Sequence, residues 1–243
     1  MKKILFILFA INLYSDSIYA SFDVVAQKSA KLALPSVGIV DNIYVSVGDS
    51  VKKDDILLNL DYAIEQVGLD SSMVDLDLAN TALKFANNTL SRYKQVESVI
   101  NKQNLDEISF KKDEASNKLR AAKINISKYK TLISQKQLKA PFDGVITAKF
   151  IEVGEGVGGV AQPLFILDSY PDVKLLLSFD EKYVNLVKVG DTYEYMLDGL
   201  KISGKISKIY PNIDMKTRKV YAEVLAKDIK IGSFGEGYII TDK

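Results

Sequence analysis

Residues 38–51 read GIVDNIYVSVGDSV and residues 144–157 read GVITAKFIEVGEGV. Gly38, Val47, Gly48, Asp49 and Val51 recur as Gly144, Val153, Gly154, Glu155 and Val157 at one constant offset. Each copy leads into an apolar run closed by an aspartate, ILLNLD at Asp61 and PLFILD at Asp168. A strand–turn–strand unit of this size has too little apolar surface to fold alone. Two copies packed face to face make a small β-sandwich with pseudo-twofold symmetry. Gly48 and Gly154 supply the permissive backbone for each turn, with an acid beside each. The sandwich is then one domain, and the residues between its halves have to leave it and return to it.

That intervening block, residues 62–137, has Gly68 as its one glycine and no proline, as long helices require. Leu69, Ser72, Leu76, Ala79, Leu83, Ala86, Leu90 and Tyr93 are spaced by alternating threes and fours. Leu105, Ile108, Lys112, Ala115, Leu119, Ala122, Ile126, Tyr129 and Ile133 repeat the pattern. Each series is a heptad seam. Two seams joined by a short link near 97–101 predict an antiparallel coiled-coil hairpin, roughly 50 Å long at 1.5 Å per residue. The alanines in the seams let the two backbones approach closely. The outer faces carry Lys, Asp, Glu, Asn and Gln, the pattern of a solvated stalk.

The chain of 243 residues has 32 basic and 31 acidic side chains, so charge gives no argument for a nucleic-acid partner. It contains no Cys and no His. Cysteine nucleophiles, imidazole bases, Ser-His-Asp triads and Cys/His zinc sites are therefore excluded. Four methionines, Met1, Met73, Met196 and Met215, are thin support for soft-metal capture. We expect no catalytic residue, cofactor or metal site.

Lys2 and Lys3, the apolar run Ile4–Leu13 and then Ile18-Tyr19-Ala20 before Ser21 have the order of a secretory signal peptide, residues 1–20, cut after Ala20. The run is short of the ~20 residues that span a bilayer. From residue 173 onward the pattern is β: Leu175–Phe179, Tyr193–Leu197, Leu200–Tyr210, Val220–Ala226 and Tyr238–Thr241 read as strands, with Asp180 capping a short helix between. Short strands at regular turn signals predict a small β-barrel, to which Phe22–Ala26 adds a strand.

In this order the pieces resemble the membrane fusion protein family (HlyD/RND type), the periplasmic adaptors of tripartite efflux pumps. The residues that carry the resemblance are VGIVDNIYVSVGDSVKKDDILLNLD, the amphipathic hairpin, LKAPFDGVITAKFIEVGEGV with its Ala140-Pro141-Phe142-Asp143-Gly144 entry, then FDEKYVNLVKVGD and GKISKIYPNIDMKTRKVYAEV. The two halves are similar to those of a lipoyl carrier domain, with the hairpin in place of the turn that bears a carrier lysine. The implied fold is α+β: a signal peptide at 1–20, an N-terminal segment at 21–33 giving a barrel strand, lipoyl-like half-motifs at 34–61 and 138–168 split by a hairpin at 62–137, and a barrel at 169–243.

The resemblance implies a non-catalytic role. Such adaptors form homo-oligomeric rings, commonly hexameric, in the periplasm, between an inner-membrane transporter and an outer-membrane channel. The implied channel contact is the hairpin tip: Arg92, Val96, Val99, Ile100 and Asn101. Gly158, Gly159 and Gln162 form a glycine-rich loop that could face a pore. An adaptor of an ATP-driven exporter shares this architecture. An exported coiled-coil scaffold explains residues 62–137 but not the paired motifs around them.

Overall fold

The computed structural model describes residues 16–96, 101–197 and 199–241. They form two compact units, one containing a β-barrel and the other a helical hairpin.

The barrel has six strands: β1 (Asp16–Ala26), β10 (Asp172–Asp180), β11 (Thr192–Leu197), β12 (Leu200–Asp214), β13 (Lys219–Lys227) and β14 (Phe234–Thr241). It closes in the order β1-β10-β13-β12-β11-β14, so no strand edge is left unpaired. Alternation sets what points inward. Val173, Leu175, Leu177 and Phe179 of β10 are buried, as are Ile18, Ala20, Phe22 and Val24 of β1. Phe22 meets the ring of Tyr195 edge-on at 5.3 Å, and Tyr193 stacks on Tyr195 at 5.7 Å. The Tyr193 hydroxyl donates to the Ala20 carbonyl at 2.8 Å, and burial pushes its phenol pKa well up. The helix expected after Asp180 is a single 3₁₀ turn, Glu181–Tyr183, with Asp180 accepting from the Lys182 N–H.

Residues 16–20, which fall within the expected export signal, form the first half of β1. Ile18 and Ala20 point into the barrel, and Tyr19 points out. A short apolar–aromatic–small run satisfies an inward–outward strand as well as it satisfies the end of a leader.

Outside the barrel, two four-stranded sheets use β2 (Ser29–Leu32), β3 (Val37–Ile43), β4 (Ser50–Val51) and β5 (Ile56–Leu60) with β6 (Gln137–Lys139), β7 (Gly144–Lys149), β8 (Gly156–Gly158) and β9 (Phe165–Asp168). Their orders are β2-β9-β7-β4 and β6-β5-β3-β8. Exchanging β2 with β6, β3 with β7, β4 with β8 and β5 with β9 turns one order into the other. Each half supplies the two central strands of one sheet and both edges of the other. The repeat also begins earlier than residue 34, because Leu32 and Pro35 stand at the same offset from Leu138 and Pro141.

The two Val-Gly-acid turns are built alike. The Ser46 N–H donates to Asp49 Oδ2 (2.8 Å) and the Asp49 N–H to the Ser46 carbonyl (3.1 Å). In the second copy, the Glu152 N–H donates to Glu155 Oε2 (3.0 Å) and the Glu155 N–H to the Glu152 carbonyl (3.2 Å). Gly48 and Gly154 take φ of 98° and 88°, a conformation that costs a side chain dearly. The acid closes the turn and leaves the valine exposed.

Helices α1 (Ala63–Gln95) and α2 (Lys102–Gln135) run between β5 and β6, which are hydrogen-bonded neighbours. The expected seam residues from Leu69 to Leu90 and from Leu105 to Ile133 are shielded, with Ser72, Ala115 and Ala122 buried, whereas Tyr93 is exposed. Tyr129 lies over Gly68, where a Cβ would overlap its ring. No described helix is long and apolar enough to cross a membrane.

Helix propensity alone favours alanine over glycine by about 1 kcal/mol, whereas overpacking costs about 1–3 kcal/mol. Gly68→Ala therefore lowers the melting temperature followed by helical circular dichroism, and the same change raises it in a Tyr129→Ala background.

In the barrel, Glu223 accepts from Lys174 and from Tyr210, each at 2.6 Å. Burial pushes its carboxyl pKa up, but the two hydrogen bonds outweigh burial and hold it below the ordinary value. Its stabilisation is present above the unfolded carboxylate pKa of about 4.3 and is lost as pH falls through the folded value. Glu223→Gln flattens the acid limb of the stability–pH curve measured by denaturant unfolding.

Candidate interaction surfaces

The hairpin tip is made by the end of α1 and the start of α2. The Val96 N–H returns to the Tyr93 carbonyl at 3.2 Å and ends α1. Asn101 has extended backbone, and its side chain accepts from the Gln103 N–H at 3.0 Å, so it is the N-cap of α2. Arg92 is exposed and donates weakly to Thr89 Oγ1 at 3.4 Å. Val96 is exposed. Val99 and Ile100 lie outside the described residues. Of the five expected tip residues, the structure thus places Arg92, Val96 and Asn101 at or beside the turn. A shallow depression lined by Asn87, Leu90, Ser91, Lys94 and Gln95 lies next to it.

The expected loop at Gly158, Gly159 and Gln162 is a closed turn. Gln162 Oε1 accepts from the Gly158 N–H at 3.1 Å, and the Gln162 N–H donates to the Gly159 carbonyl at 3.2 Å. Gly159 has φ of 100°.

The hairpin flanks differ from the polar stalk expected of them. Ile64, Val67, Val74, Leu78 and Phe85 are 60–85% exposed and fall in one row spaced by threes and fours, with Ser71 and Thr81 filling the gaps. The row sits two residues beyond the seam, about 200° round the helix. Helix α1 therefore has two opposed heptad faces, and α2 covers one of them. Phe110 and Ile124 of α2, also exposed, stand two heptads apart at the corresponding position. Reading the heptad a second time, from Ile64, would have found this row.

Charge on the flanks is partitioned. Residues 63–83 of α1 contain Glu65, Asp70, Asp75 and Asp77 and no Lys or Arg. Residues 115–136 contain Lys118, Arg120, Lys123, Lys128, Lys130 and Lys136 and no acid. In an antiparallel hairpin these stretches lie at the same height. Lys136 and Glu65 meet across it at 3.7 Å.

On the barrel, a slot between β11 and β14 is lined by Tyr195, Met196, Gly235, Gly237, Tyr238 and Lys201. Tyr19 Oη donates to Glu236 Oε2 at 2.8 Å beside it, a bond that raises the Tyr19 pKa, and Lys201 pairs with Glu194 at 2.8 Å. Phe234 and Leu200 are strongly exposed on the same barrel. No group of three or more His, Cys, Asp or Glu able to hold a metal ion occurs among the described residues.

Asn101 is the tip residue whose structural duty can be separated from any contact. Asn101→Ala removes the cap and costs about 1 kcal/mol, whereas Asn101→Asp keeps it. Thermal unfolding of the two variants is expected to show a loss for the first and little change for the second.

No family model matches the chain. It is 27% identical over 209 residues to the cobalt-zinc-cadmium resistance protein CzcB of Cupriavidus metallidurans, which covers 82% of this chain and 39% of CzcB. The chain thus spans about two fifths of the length of that curated relative. Among solved structures, the membrane fusion protein Spr0693 of Streptococcus pneumoniae superposes with a TM-score of 0.67 at 18% identity, covering 93% of this chain and 100% of that one. MacA of Actinobacillus actinomycetemcomitans gives a TM-score of 0.67 at 17% identity, covering 94% and 80%. Barrel, sheets and inserted hairpin together are the fold of the membrane fusion proteins, and CzcB is a sequence relative of this chain over four fifths of its length.

Proposed function

We propose that this chain is a periplasmic adaptor that links an inner-membrane transporter to an outer-membrane channel for efflux, and that it acts by assembly rather than catalysis. The observation that carries this is the helical hairpin inserted between neighbouring strands β5 and β6, in a fold shared with Spr0693 along 93% of the chain. The interlocked sheets are on this reading a lipoyl-like sandwich that serves as the hairpin's base. The leader exports the chain, and the transporter holds it at the inner membrane through the aromatic slot of the barrel. CzcB is named for cobalt, zinc and cadmium, so divalent metal cations are the cargo to test first.

Copies of the chain assemble side by side into a ring, a hexamer on the family pattern. The exposed row of α1 lies against the outer face of α2 in the next copy, which sets its acidic stretch beside the neighbour's basic stretch. Packing α1 on α1 about a twofold axis would oppose acid to acid. A contact between two different faces propagates round a ring instead of stopping at a dimer. The tip, with Arg92, Val96, Val99, Ile100 and Asn101, meets the channel, and the turn at Gly158, Gly159 and Gln162 faces the pore.

The absence of native cysteine makes single-cysteine cross-linking in intact cells the direct test. Val96→Cys spares the Asn101 cap, and Lys84→Cys on the shaft is its control. The expected result is an adduct with an outer-membrane channel from position 96 alone; identical partners from both positions would reject tip docking. Leu78→Glu is expected to dissociate the assembly in analytical ultracentrifugation while leaving the melting temperature of the monomer within about 0.5 kcal/mol of equivalent stability. An unchanged oligomer rejects the α1 row as the interface.

A further inference from the structure

We infer that the leader is cut upstream of Ile18, so that Ile18, Tyr19 and Ala20 belong to the mature protein. The inference rests on the export reading and concerns where that export signal ends.

The pairing of β1 is staggered. Asp16 to Asp23 pair with β14, from Asp16↔Thr241 to Asp23↔Phe234, whereas Ser21 to Ala26 pair with β10. A cut after Ala20 leaves Ser21, Phe22 and Asp23 as the whole of the β1–β14 seam. The rest of β14 from Gly237 to Thr241 then loses its partner on that side and becomes an exposed edge, and the barrel is closed over three residue pairs instead of eight. The cut also removes two inward side chains, Ile18 at 2% and Ala20 at 0% exposure. It removes the carbonyl that accepts the buried Tyr193 hydroxyl at 2.8 Å, stranding a polar group inside the barrel. On the outer face it removes Tyr19, whose hydroxyl bonds Glu236 and whose ring meets Tyr238 edge-on at 6.1 Å. A cut after Ser17 thus keeps six closing pairs, both inward side chains and the acceptor of the Tyr193 hydroxyl, whereas a cut after Ala20 keeps three pairs and neither of the others.

The sequence offers a better cut. A leader peptidase reads small residues one and three positions before the bond. Ile18-Tyr19-Ala20 puts isoleucine at the outer position, whereas Ser15-Asp16-Ser17 puts serine at both. Hydrolysis of the Ser17–Ile18 bond adds one water: the carboxylate stays on the leader, and the new amine begins the mature chain at Ile18 with its inward side chain intact.

The test is N-terminal sequencing and intact mass of the full-length chain expressed with its leader and recovered from the periplasm of a Gram-negative host. The expected first residue is Ile18 or one before it, downstream of the apolar run. A first residue of Ser21, or an uncut leader on the exported chain, overturns the inference and leaves the export reading standing. An uncut chain found in the cytosol overturns both. As a second measurement, leaderless chains starting at Asp16 and at Ser21 are made in the cytosol. The shorter one is expected to melt at a markedly lower temperature and to bind a hydrophobic dye; equal melting temperatures overturn the inference.

Discussion

The antiparallel pairing of β5 with β6 is the contact on which the rest depends. Leu58 faces Leu138 and Asn59 faces Gln137 across it, and the Leu60 N–H donates to the Lys136 carbonyl at 2.9 Å just where the helices leave and return. Hydrogen bonds of this kind hold the two ends of a 33-residue and a 34-residue helix within one strand spacing. The hairpin therefore needs no large core of its own. Its seam is narrow and partly built of serine and alanine, which lets the helices come close but buries little per turn. Fixing the base fixes the register along the shaft, because the first contacts above it, Gly68 under Tyr129 and Lys136 with Glu65, admit one alignment.

The same logic explains why the two halves are interlocked. Because each half gives its edge strands to the other's sheet, neither is complete until both are present. Folding of the base then waits for residues 137–168 and so for synthesis of the whole hairpin, a high-contact-order arrangement. The barrel makes a comparable demand on chain ends: β1 closes it against β14, the first described strand against the last.

What could be read in advance depended on whether one pattern had one physical meaning. The seam from Leu69 to Tyr93 and from Leu105 to Ile133 was legible because alternating three–four spacing has no other regular structure to fit. The barrel strands were legible because short apolar runs such as Leu175 to Phe179 are set between turn signals, although which face of that run is buried appears only in the structure. The turns at Gly48 and Gly154 were legible as a repeat, although the acid's task of receiving an N–H three residues back appears only with geometry. Ile18-Tyr19-Ala20 has two physical meanings, because a leader's end and an alternating strand share that wording. The row from Ile64 to Phe85 was overlooked because the charged residues between its members dominate any average over the flank. Asn101 could be placed at the tip by counting, but its capping bond to Gln103 needed the backbone of the turn.

That overlooked row bears directly on what the hairpin is for. Five apolar side chains in heptad register, each more than half exposed, are a larger uncovered stripe than a solitary stalk has reason to keep. Scattered surface apolar residues need no partner, but these share a face and a period, and period is what a second helix recognises. The flanking charges then choose which helix. Acids line the exposed row of α1, so another α1 is disfavoured and a basic partner is favoured. The basic stretch of α2 lies at the same height on the same molecule, with Ile124 exposed within it and Phe110 exposed further along the helix. On the proposed assembly, the row on one side and the complement of its charge on the other set each hairpin beside the next. Screening weakens the charge term as salt rises, whereas burial of the row does not weaken. Salt alone should therefore loosen the selection of neighbours before it separates them.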